Sequence, residues 1–247
     1  MTINIQFYPL GEQAIVAKFD SELNENTYEQ VCNFSRSLEQ NPIIGTIETV
    51  PTFTTVTIYY DPFELVRAYQ SKDNNINKST QSSYNIILAL IQDRIAKMKK
   101  NITIEHRTIK IPVCYEGDFA PDLEYVAMYN QLSTEEVIQN HSEGEYLVYM
   151  LGFAPGFPYM GGMSSKIATP RRSEPRVLVS AGSVGIAGEQ TGIYSLDSPG
   201  GWQIIGRTPL TLFQPENESP TLLRAGDRIQ FYSISIDEYT VLEEKQK

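Results

Sequence analysis

The chain has 247 residues, of which 41% are hydrophobic and 20% charged, as expected for a globular protein of one or two domains. Its net charge of −10 argues against general binding to nucleic acid or anionic membranes, which requires clustered lysine and arginine. Neither a signal peptide nor an apolar stretch of the ~18 residues that span a bilayer is found, so we expect a cytoplasmic protein. Cys32 and Cys114 lie among apolar residues and are predicted to be buried free thiols.

The first part of the chain carries the pattern strand, strand, helix, strand, strand, helix. Residues 3–19 read as two strands around a turn, and residues 24–42 have the spacing of an amphipathic helix that ends at a proline. Two β-rich segments follow, and residues 82–98 predict a second amphipathic helix after a polar loop at 71–83. This order predicts an α+β domain over residues 1–99 of the ferredoxin-like kind, with helices on one face of an antiparallel sheet.

The second domain is predicted to cover residues 100–247. It begins with a strand-like segment and then has two short helices at 121–141, where Ser133 and Glu136 have the spacing of a capping box. The remaining residues form short β-rich pieces separated by glycine and proline turns. That pattern predicts a β-barrel or a compact sandwich with a short helical insertion.

The two short helices resemble a helix-turn-helix, so DNA binding has to be considered. The segment in the place of a recognition helix carries Glu135 and Glu136 and has no lysine or arginine. Such a helix repels phosphate and is a poor reader of a DNA groove. The sequence therefore favours a structural role for the helix pair.

The histidines are His106 and His141, and neither has cysteine or carboxylate neighbours at metal-ligand spacing, so no metal site is predicted. Strand alternation makes His106 a solvent-facing residue. His141 ends a helix just before a segment rich in glycine and proline. It is either a helix C-terminal cap favoured by the helix dipole, or a proton donor, acceptor or ligand contact.

The segment "YMLGFAPGFPYMGGMSSKIATPRR" at residues 149–172 forms neither helix nor ordinary strand by pattern. Its glycines allow turns closed to other residues, and its prolines stiffen the path. We predict that a rigid loop holds Phe153, Pro155, Phe157 and Pro158 as the wall of a pocket or of a protein interface.

Three arginines concentrate positive charge at the end of this segment and just after it. Arg171, Arg172 and Arg176 lie in "TPRRSEPRV", and the planar fork of arginine suits carboxylate or phosphate. The alternative is a solvated patch paired to Glu174 and its neighbours. The nearby "AGSVGIAG" lacks the lysine and the spacing of a phosphate-binding loop, although its glycines can present backbone N–H groups to an anion.

Four segments carry a family resemblance when they are taken together. These are "VYMLGFAPGFPYMGG", "ATPRRSEPR", "AGSVGIAGEQTGIYSLDSPGGWQIIGRTPL" and "RAGDRIQF", in this order. They resemble the family called allophanate hydrolase subunit 1, which includes the B subunit of bacterial 5-oxoprolinase and a sporulation histidine-kinase inhibitor. The similarity extends over residues 8–235 and is densest over residues 111–215.

The resemblance implies a ferredoxin-like N-terminal domain followed by a cyclophilin-like β-barrel domain. It also implies one component of a heteromeric, ATP-dependent 5-oxoprolinase that opens 5-oxo-L-proline to L-glutamate with a homologous C subunit and an A subunit. ATP with Mg is the implied cofactor, bound by or shared with a partner subunit, and the chain alone is expected to be inactive. The alternatives are an inhibitor of a sensor histidine kinase and a component of an allophanate or urea-pathway amidohydrolase.

These expectations assign roles to particular side chains. His141 is the expected catalytic residue, and Tyr159 is expected to line the pocket. The expected substrate-binding residues are Arg171, Arg172 and Arg176 for anionic groups, with Gln190, Thr191 and Tyr194 to position the substrate.

Overall fold

A computed structural model describes residues 5–19, 25–70, 82–98 and 107–245 of the chain. The chain divides into two compact units, residues 1–104 and 105–247. The predicted domain boundary after residue 99 lies within residues 99–106, which are outside the described residues. Most of the predicted loop at 71–83 lies outside the described residues, and so does His106.

The first unit contains a four-stranded antiparallel sheet with the strand order β1-β2-β4-β3. Its strands are β1 (Gln6–Pro9), β2 (Ala14–Lys18), β3 (Thr46–Pro51) and β4 (Thr55–Tyr60). Its described helices are α1 (Glu25–Gln40), α2 (Pro62–Gln70) and α3 (Ser83–Lys97).

The core of the first unit lies between the helices and one face of the sheet. Ile15 of β2 and Ile58 of β4 pack against Phe34 of α1, Leu65 of α2 and Ile87 of α3, all fully buried. The α+β prediction is confirmed. The described elements run β-β-α-β-β-α-α, whereas the ferredoxin-like unit runs β-α-β-β-α-β, so that finer name stays a prediction.

Helix α2 was not predicted, although its start has a clear local cause. The carboxylate of Asp61 accepts hydrogen bonds from the backbone N–H groups of Phe63 and Glu64 at 2.8 and 3.1 Å. Pro62 occupies the first helical position, where its missing N–H costs nothing. An Asp-Pro pair at the end of a strand is thus a helix start that the hydrophobic pattern alone does not reveal.

The second unit is built on a closed barrel of seven strands, in the order β10-β7-β6-β13-β5-β12-β9. Two further strands, β8 and β11, form a separate two-stranded ribbon. The strands are β5 (Thr108–Cys114), β6 (Glu145–Leu151), β7 (Pro158–Gly161), β8 (Arg176–Val179), β9 (Ser183–Ala187), β10 (Gln190–Ile193), β11 (Ser198–Gly200), β12 (Gln203–Arg207) and β13 (Arg228–Ile234). Of the two predicted architectures, the second unit has the barrel and not the sandwich. The cyclophilin-like name stays a prediction.

The α-helices described beside the barrel are α4 (Leu123–Asn130), α5 (Thr134–Ser142) and α6 (Ile236–Glu244). The predicted capping box of α5 is confirmed. The Ser133 hydroxyl accepts from the Glu136 N–H at 3.1 Å, and the Glu136 carboxylate accepts from the Ser133 N–H at 2.7 Å. Helices α4 and α5 place Val126 and Val137 in the barrel core.

Both cysteines are free thiols, as predicted; Cys114 is also buried as predicted, whereas Cys32 is only partly buried. Burial raises the pKa of both thiols. Among the described helices, none combines the length and the apolar character needed to cross a bilayer.

Candidate functional site

The structure places the predicted site residues of the second unit in two different regions. His141 and Thr191 lie inside the barrel, where neither side chain reaches solvent. The three arginines, Tyr159, Tyr194 and the glycine- and proline-rich loop lie around Trp202. Gln190 is partly buried at the start of β10, paired with Ala187 of β9.

His141 is enclosed on every side by barrel groups. Its ring stacks on Phe231 with 4.5 Å between the centroids. Its Nδ1 lies 2.7 Å from the Tyr115 hydroxyl, and its Nε2 lies 3.0 Å from the Thr191 hydroxyl. The Tyr146 hydroxyl donates to the His141 carbonyl at 2.7 Å.

The hydrogen bonds around His141 define one tautomer. The Thr191 hydroxyl donates its single proton to the Gly185 carbonyl at 3.0 Å, so it accepts from the His141 Nε2–H. The Nδ1 atom then accepts from the Tyr115 hydroxyl. Burial lowers the pKa of His141 to about 3, which keeps the ring neutral.

This geometry favours a structural role for His141. Both ring nitrogens are bonded to protein groups, so the ring neither caps helix α5 nor presents a nitrogen to a substrate. Thr191 is committed to the same chain of hydrogen bonds. The packing therefore favours structural roles for both residues over the predicted catalytic role of His141 and the predicted substrate-binding role of Thr191.

The second region is an aromatic cluster, defined as Phe153, Phe157, Tyr159, Tyr194 and Trp202. Phe157 is 2% exposed and occupies the middle, with its ring centroid 5.0–5.5 Å from the other four. The neighbouring rings meet it at steep angles, which is the preferred edge-to-face arrangement. Phe157 fills the centre, so the five rings pack around it.

The loop between β6 and β7 is closed by its own backbone. The Phe157 N–H donates to the Ala154 carbonyl at 3.1 Å, with Gly156 at φ 78° in the third position, as a type II turn requires. The Ala154 N–H donates to the Gly152 carbonyl at 2.8 Å, and the Gly152 N–H donates to the Phe157 carbonyl at 3.1 Å. These bonds hold the loop in one path.

Phe153 sits at the tip of this loop in a conformation that phenylalanine rarely adopts. Its φ is 68°, in the left-handed region that favours glycine, and its side chain is 63% exposed. The other described non-glycine residue with positive φ is Gln131, which ends helix α4. A strained backbone that presents an aromatic ring to solvent is typical of a functional surface.

Asp122 organises two of the predicted arginines. Its carboxylate accepts from Arg172 Nη1 at 3.1 Å and from Arg176 Nη2 at 2.7 Å. Its other oxygen accepts from the Ile204 N–H at 2.6 Å. Asp122 occupies the N-cap position of helix α4 without capping it, because its buried carboxylate is used for these three bonds.

Arg171, the arginine that Asp122 does not bind, lies against the aromatic cluster. The Arg171 guanidinium carbon lies 5.8 Å from the centre of the Trp202 ring, at cation–π distance. Burial raises the pKa of Tyr194, and the positive charges of Arg171 and Arg176 oppose that shift. The predicted residues Arg171, Arg176 and Tyr194 are thus brought together.

Unsatisfied polar groups concentrate in the same region. Among described residues, the buried side-chain polar atoms without a hydrogen-bond partner are Arg176 Nη1, Ser195 Oγ, Ser198 Oγ and Asn33 Oδ1. The first three belong to β8, to β11 or to the turn before β11. Buried polar groups are nearly always paired with protein, water or ligand, so this concentration makes the region a candidate site.

Asp122 and Trp202 were missing from the predicted site. The sequence does contain a signal for Trp202, which is the single tryptophan of the chain. Asp122 looked like an ordinary residue at the start of a helix, and its arginine partners lie 50 and 54 residues further along the chain. Among the described residues, no three or more histidine, cysteine or carboxylate groups are placed to hold a metal ion.

Comparison with known proteins identifies similar chains over nearly the whole length. The chain matches the family described as "Carboxyltransferase domain, subdomain C and D" over residues 5–223. It is 46% identical to the B subunit of 5-oxoprolinase from Bacillus subtilis (strain 168), covering 99% of both chains. It is 38% identical to the B subunit of 5-oxoprolinase from Escherichia coli O157:H7, covering 91% of this chain and 94% of that one.

Solved structures of similar shape include longer chains. The crystal structure of TTHA0988 matches with a TM-score of 0.73 and 31% identity, over 90% of this chain but 40% of that one. A conserved protein of Pyrococcus horikoshii, PH0987, matches with a TM-score of 0.54 and 39% identity, over 95% of this chain and 100% of that one. The Kluyveromyces lactis urea amidolyase matches with a TM-score of 0.78 over 99% of this chain, and its 19% identity shows the fold alone.

Proposed function

We propose that this chain, which belongs to the family of the carboxyltransferase domain, subdomain C and D, is one component of an ATP-dependent 5-oxoprolinase. This complex would open the lactam of 5-oxo-L-proline to L-glutamate. The observation that carries the proposal is the 46% identity to the B subunit of a 5-oxoprolinase over 99% of both chains. A relative that is itself a subunit supports further subunits, for which we propose a homologous C subunit and an A subunit.

The arginine and aromatic region is the part of this chain that we propose to meet the substrate. 5-Oxo-L-proline is a small flat ring that carries a carboxylate. A guanidinium binds a carboxylate through paired N–H donors, and Arg176 retains a donor without a partner in the described structure. Arg171 lies nearby over Trp202. The members of the aromatic cluster that reach solvent are Phe153 and, in part, Tyr159, and these can meet the face of a small ring. Tyr194 is buried behind them and supports this surface.

The proposal gives structural roles to His141 and Thr191, and it treats Gln190 separately. The hydrogen bonds of His141 and Thr191 connect helix α5 to Tyr115, directly after β5, and to strands β9 and β10, which stabilises the barrel that carries the proposed substrate region. Gln190 lies next to Thr191 and remains a candidate for substrate contact at the start of β10. We assign proton transfer to groups outside this hydrogen-bonded chain.

ATP would supply the phosphoryl group that activates the lactam oxygen. The described residues do not fit a nucleotide site of their own: the sequence lacks a phosphate-binding loop, and no metal-ligating cluster is formed among them. We therefore propose that ATP and Mg bind to a partner subunit and that the isolated chain is inactive. The ferredoxin-like and cyclophilin-like names for residues 1–99 and 100–247 belong to the same proposal.

Reconstitution tests the proposed function. The chain is mixed with the C and A subunits from the same genome, and 5-oxoproline-dependent release of ADP and glutamate is measured. We expect turnover only when all three are present. Turnover by this chain alone, or turnover of allophanate instead of 5-oxoproline, would contradict the proposal.

A matched pair of arginine variants then tests the substrate region. Arg176→Gln should raise the KM for 5-oxoproline at least tenfold, because a carboxylate contact is lost. The control is Arg67→Gln, since Arg67 in the first unit is 84% exposed and pairs weakly with Glu64 at 3.8 Å. Equal KM values for both variants would remove Arg176 from the substrate site.

A further inference from the structure

Asp122 is tied to strand β12 through both its backbone and its side chain. Its N–H donates to the Ile204 carbonyl at 2.9 Å, and its carboxylate accepts from the Ile204 N–H at 2.6 Å. Its own carbonyl accepts from the Val126 N–H at 2.9 Å, which joins it to helix α4. The side chain is 5% exposed. A carboxylate fixed in this way also fixes the groups that donate to its remaining lone pairs.

The arginine segment, defined as residues 170–176, is fastened to the start of β12 and to the residues before it. The Gln203 side-chain amide donates to the Pro170 carbonyl at 3.0 Å, and the Arg172 N–H donates to the Gly201 carbonyl at 2.8 Å. Bonds to the backbone set the path of the segment. They do not aim the guanidinium groups, because an arginine side chain has several rotatable bonds. The aim therefore comes from a side-chain partner.

One oxygen of Asp122 sets the direction of Arg176. This oxygen accepts from Arg176 Nη2 at 2.7 Å and from Arg172 Nη1 at 3.1 Å. Arg176 Nη1 is buried and has no hydrogen-bond partner in the described part of the chain. Because the guanidinium is a rigid planar fork, holding Nη2 restricts where Nη1 can point. Asp122 thus uses one donor of Arg176 and leaves the neighbouring donor to another acceptor.

The acidic neighbours of the arginine segment do not bond this donor. Glu174 is exposed, and the contact that it makes with Arg172 is through its backbone carbonyl, at 3.4 Å from Nε. The Asp197 carboxylate accepts from the Ala181 N–H at 2.7 Å. The open acceptor position beside Arg176 Nη1 is therefore a matter of geometry, and it does not depend on the sum of the local charges.

We propose that Asp122 is a positioning residue for the substrate carboxylate: it aims Arg176 so that Nη1 meets the carboxylate of 5-oxo-L-proline. The identity of this anion rests on the proposed function. Asp122 acts through Arg176, since its own oxygens bond protein donors. A donor that is already oriented loses less rotamer freedom when it binds a carboxylate, so substrate affinity depends on Asp122.

A double-mutant cycle in the reconstituted complex tests whether Asp122 acts through Arg176. Asp122→Asn keeps the size of the side chain and replaces one acceptor oxygen by an NH2 donor. It should raise the KM for 5-oxoproline about fivefold and leave kcat within about twofold of wild type. In the Arg176→Gln background it should change KM by less than about twofold, because the arginine that it aims is absent. The same factor in both backgrounds would show a merely structural role and overturn the proposal.

The matched control is Asp227→Asn, because Asp227 holds an arginine in the same manner elsewhere in the barrel unit. Its side chain is 6% exposed, and it accepts from Arg107 Nε at 3.0 Å and from the Arg224 N–H at 2.8 Å. It stands directly before β13 and has no part in the proposed substrate region. Asp227→Asn should lose stability and keep the KM of wild type. An equal rise in KM for both asparagine variants would contradict the proposal.

NMR of the isolated wild-type chain provides a measurement that needs neither turnover nor a variant of Asp122. The chain is labelled with 15N-arginine, and Arg176→Gln identifies the signals of Arg176. The contact with Asp122 predicts restricted rotation of this guanidinium and separate signals for its two η nitrogens. Arg67, which is 84% exposed, should give one averaged signal. Free rotation of the Arg176 guanidinium would overturn the proposal.

The outcomes separate this inference from the proposed function. If the wild-type complex does not turn over 5-oxoproline while the Arg176 guanidinium is restricted, the function fails and Asp122 positions Arg176 for another anion. If the complex turns over 5-oxoproline and Asp122→Asn has the KM of wild type, the function stands and the positioning role of Asp122 fails.

Discussion

The barrel interior around His141 and the barrel end around Asp122 use similar groups in opposite ways. In the interior, Tyr115, His141 and Thr191 form a continuous chain that ends on a backbone carbonyl, with each hydrogen bond satisfied. At the end, Asp122 is satisfied, yet Arg176 keeps a buried donor without a partner. In this chain, unsatisfied bonding capacity rather than residue type distinguishes the proposed substrate region from the structural network.

Backbone strain divides the two regions in the same way. The strand residues of the interior network have ordinary backbone, whereas Phe153 at the barrel end is held at φ 68° with its ring exposed. Strain of this kind persists only where the surroundings enforce it, here through the hydrogen-bonded loop and the packed ring of Phe157. The following predictions test whether the interior is structural and the end functional.

The largest effect is expected for the interior. His141→Ala removes a fully buried ring and both of its hydrogen bonds, and should lower the free energy of unfolding by about 4 kcal/mol. Urea titration followed by the fluorescence of Trp202, the single tryptophan, reports on the second unit. Turnover per folded chain in the reconstituted complex should stay near wild type. If the variant loses turnover but keeps its stability, His141 is catalytic and the contrast between a structural interior and a functional barrel end is wrong.

A smaller loss of stability is expected at the barrel end. Asp122→Ala leaves the Ile204 N–H and two guanidinium groups without their acceptor, which should cost about 3 kcal/mol. Glu145→Ala is the control, because Glu145 is 64% exposed and lies 3.8 Å from its arginine, so its loss should cost less than about 1 kcal/mol. The same fluorescence titration measures both. Equal costs would show that Asp122 does not organise the region.

Acid should destabilise the interior in a way that depends on His141. The pKa of His141 is lowered to about 3 in the folded state, so below its ordinary value of 6.5 the unfolded state binds more protons. Stability should therefore fall as pH decreases from 6.5 towards 3, approaching about 1.4 kcal/mol per pH unit from this group. His141→Gln lacks the titration, and its stability should decline less between pH 6.5 and 5. Parallel pH profiles for the two proteins would contradict a buried, neutral histidine.

The smallest change in stability is expected at the tip of the loop. Phe153→Gly relieves the left-handed backbone while losing an exposed ring, so the free energy of unfolding should change by less than about 1 kcal/mol. Phe157→Ala removes the buried ring at the centre of the cluster and should cost about 3 kcal/mol or more. Calorimetric binding to the partner subunits should be weakened by Phe153→Gly despite its stability. If Phe153→Gly binds the partner subunits with the affinity of the wild type, Phe153 has no role in that interface.

Local signals predicted several elements because their causes lie within a few residues. Ser133 and Glu136 form the predicted capping box, since both partners lie within one helical turn. The hydrogen bonds of the glycine- and proline-rich loop also join close neighbours, such as Ala154 and Phe157. Helix α2 escaped prediction even though Asp61 caps its start, because its short apolar pattern is ambiguous.

The candidate site was predicted less completely, because its contacts join distant parts of the chain. Arg171, Arg176, Tyr159 and Tyr194 do lie together, as the charge and the aromatic residues indicated. The partner that holds two of the arginines, Asp122, precedes them by 50 and 54 residues. No spacing rule connects residues so far apart.

By itself, the sequence determined most of the element types, the capping box of α5, the stiff loop and the presence of arginines beside aromatic residues, because these follow from local propensity and composition. Only the tertiary structure decided which polar groups are satisfied. Closure of the barrel brings β5 beside β13 in parallel, and it buries His141 against Thr191, 50 residues further along. Burial and pairing are properties of the packed chain, and they favour a structural role for His141 inside the barrel while Phe153 stays exposed at the barrel end.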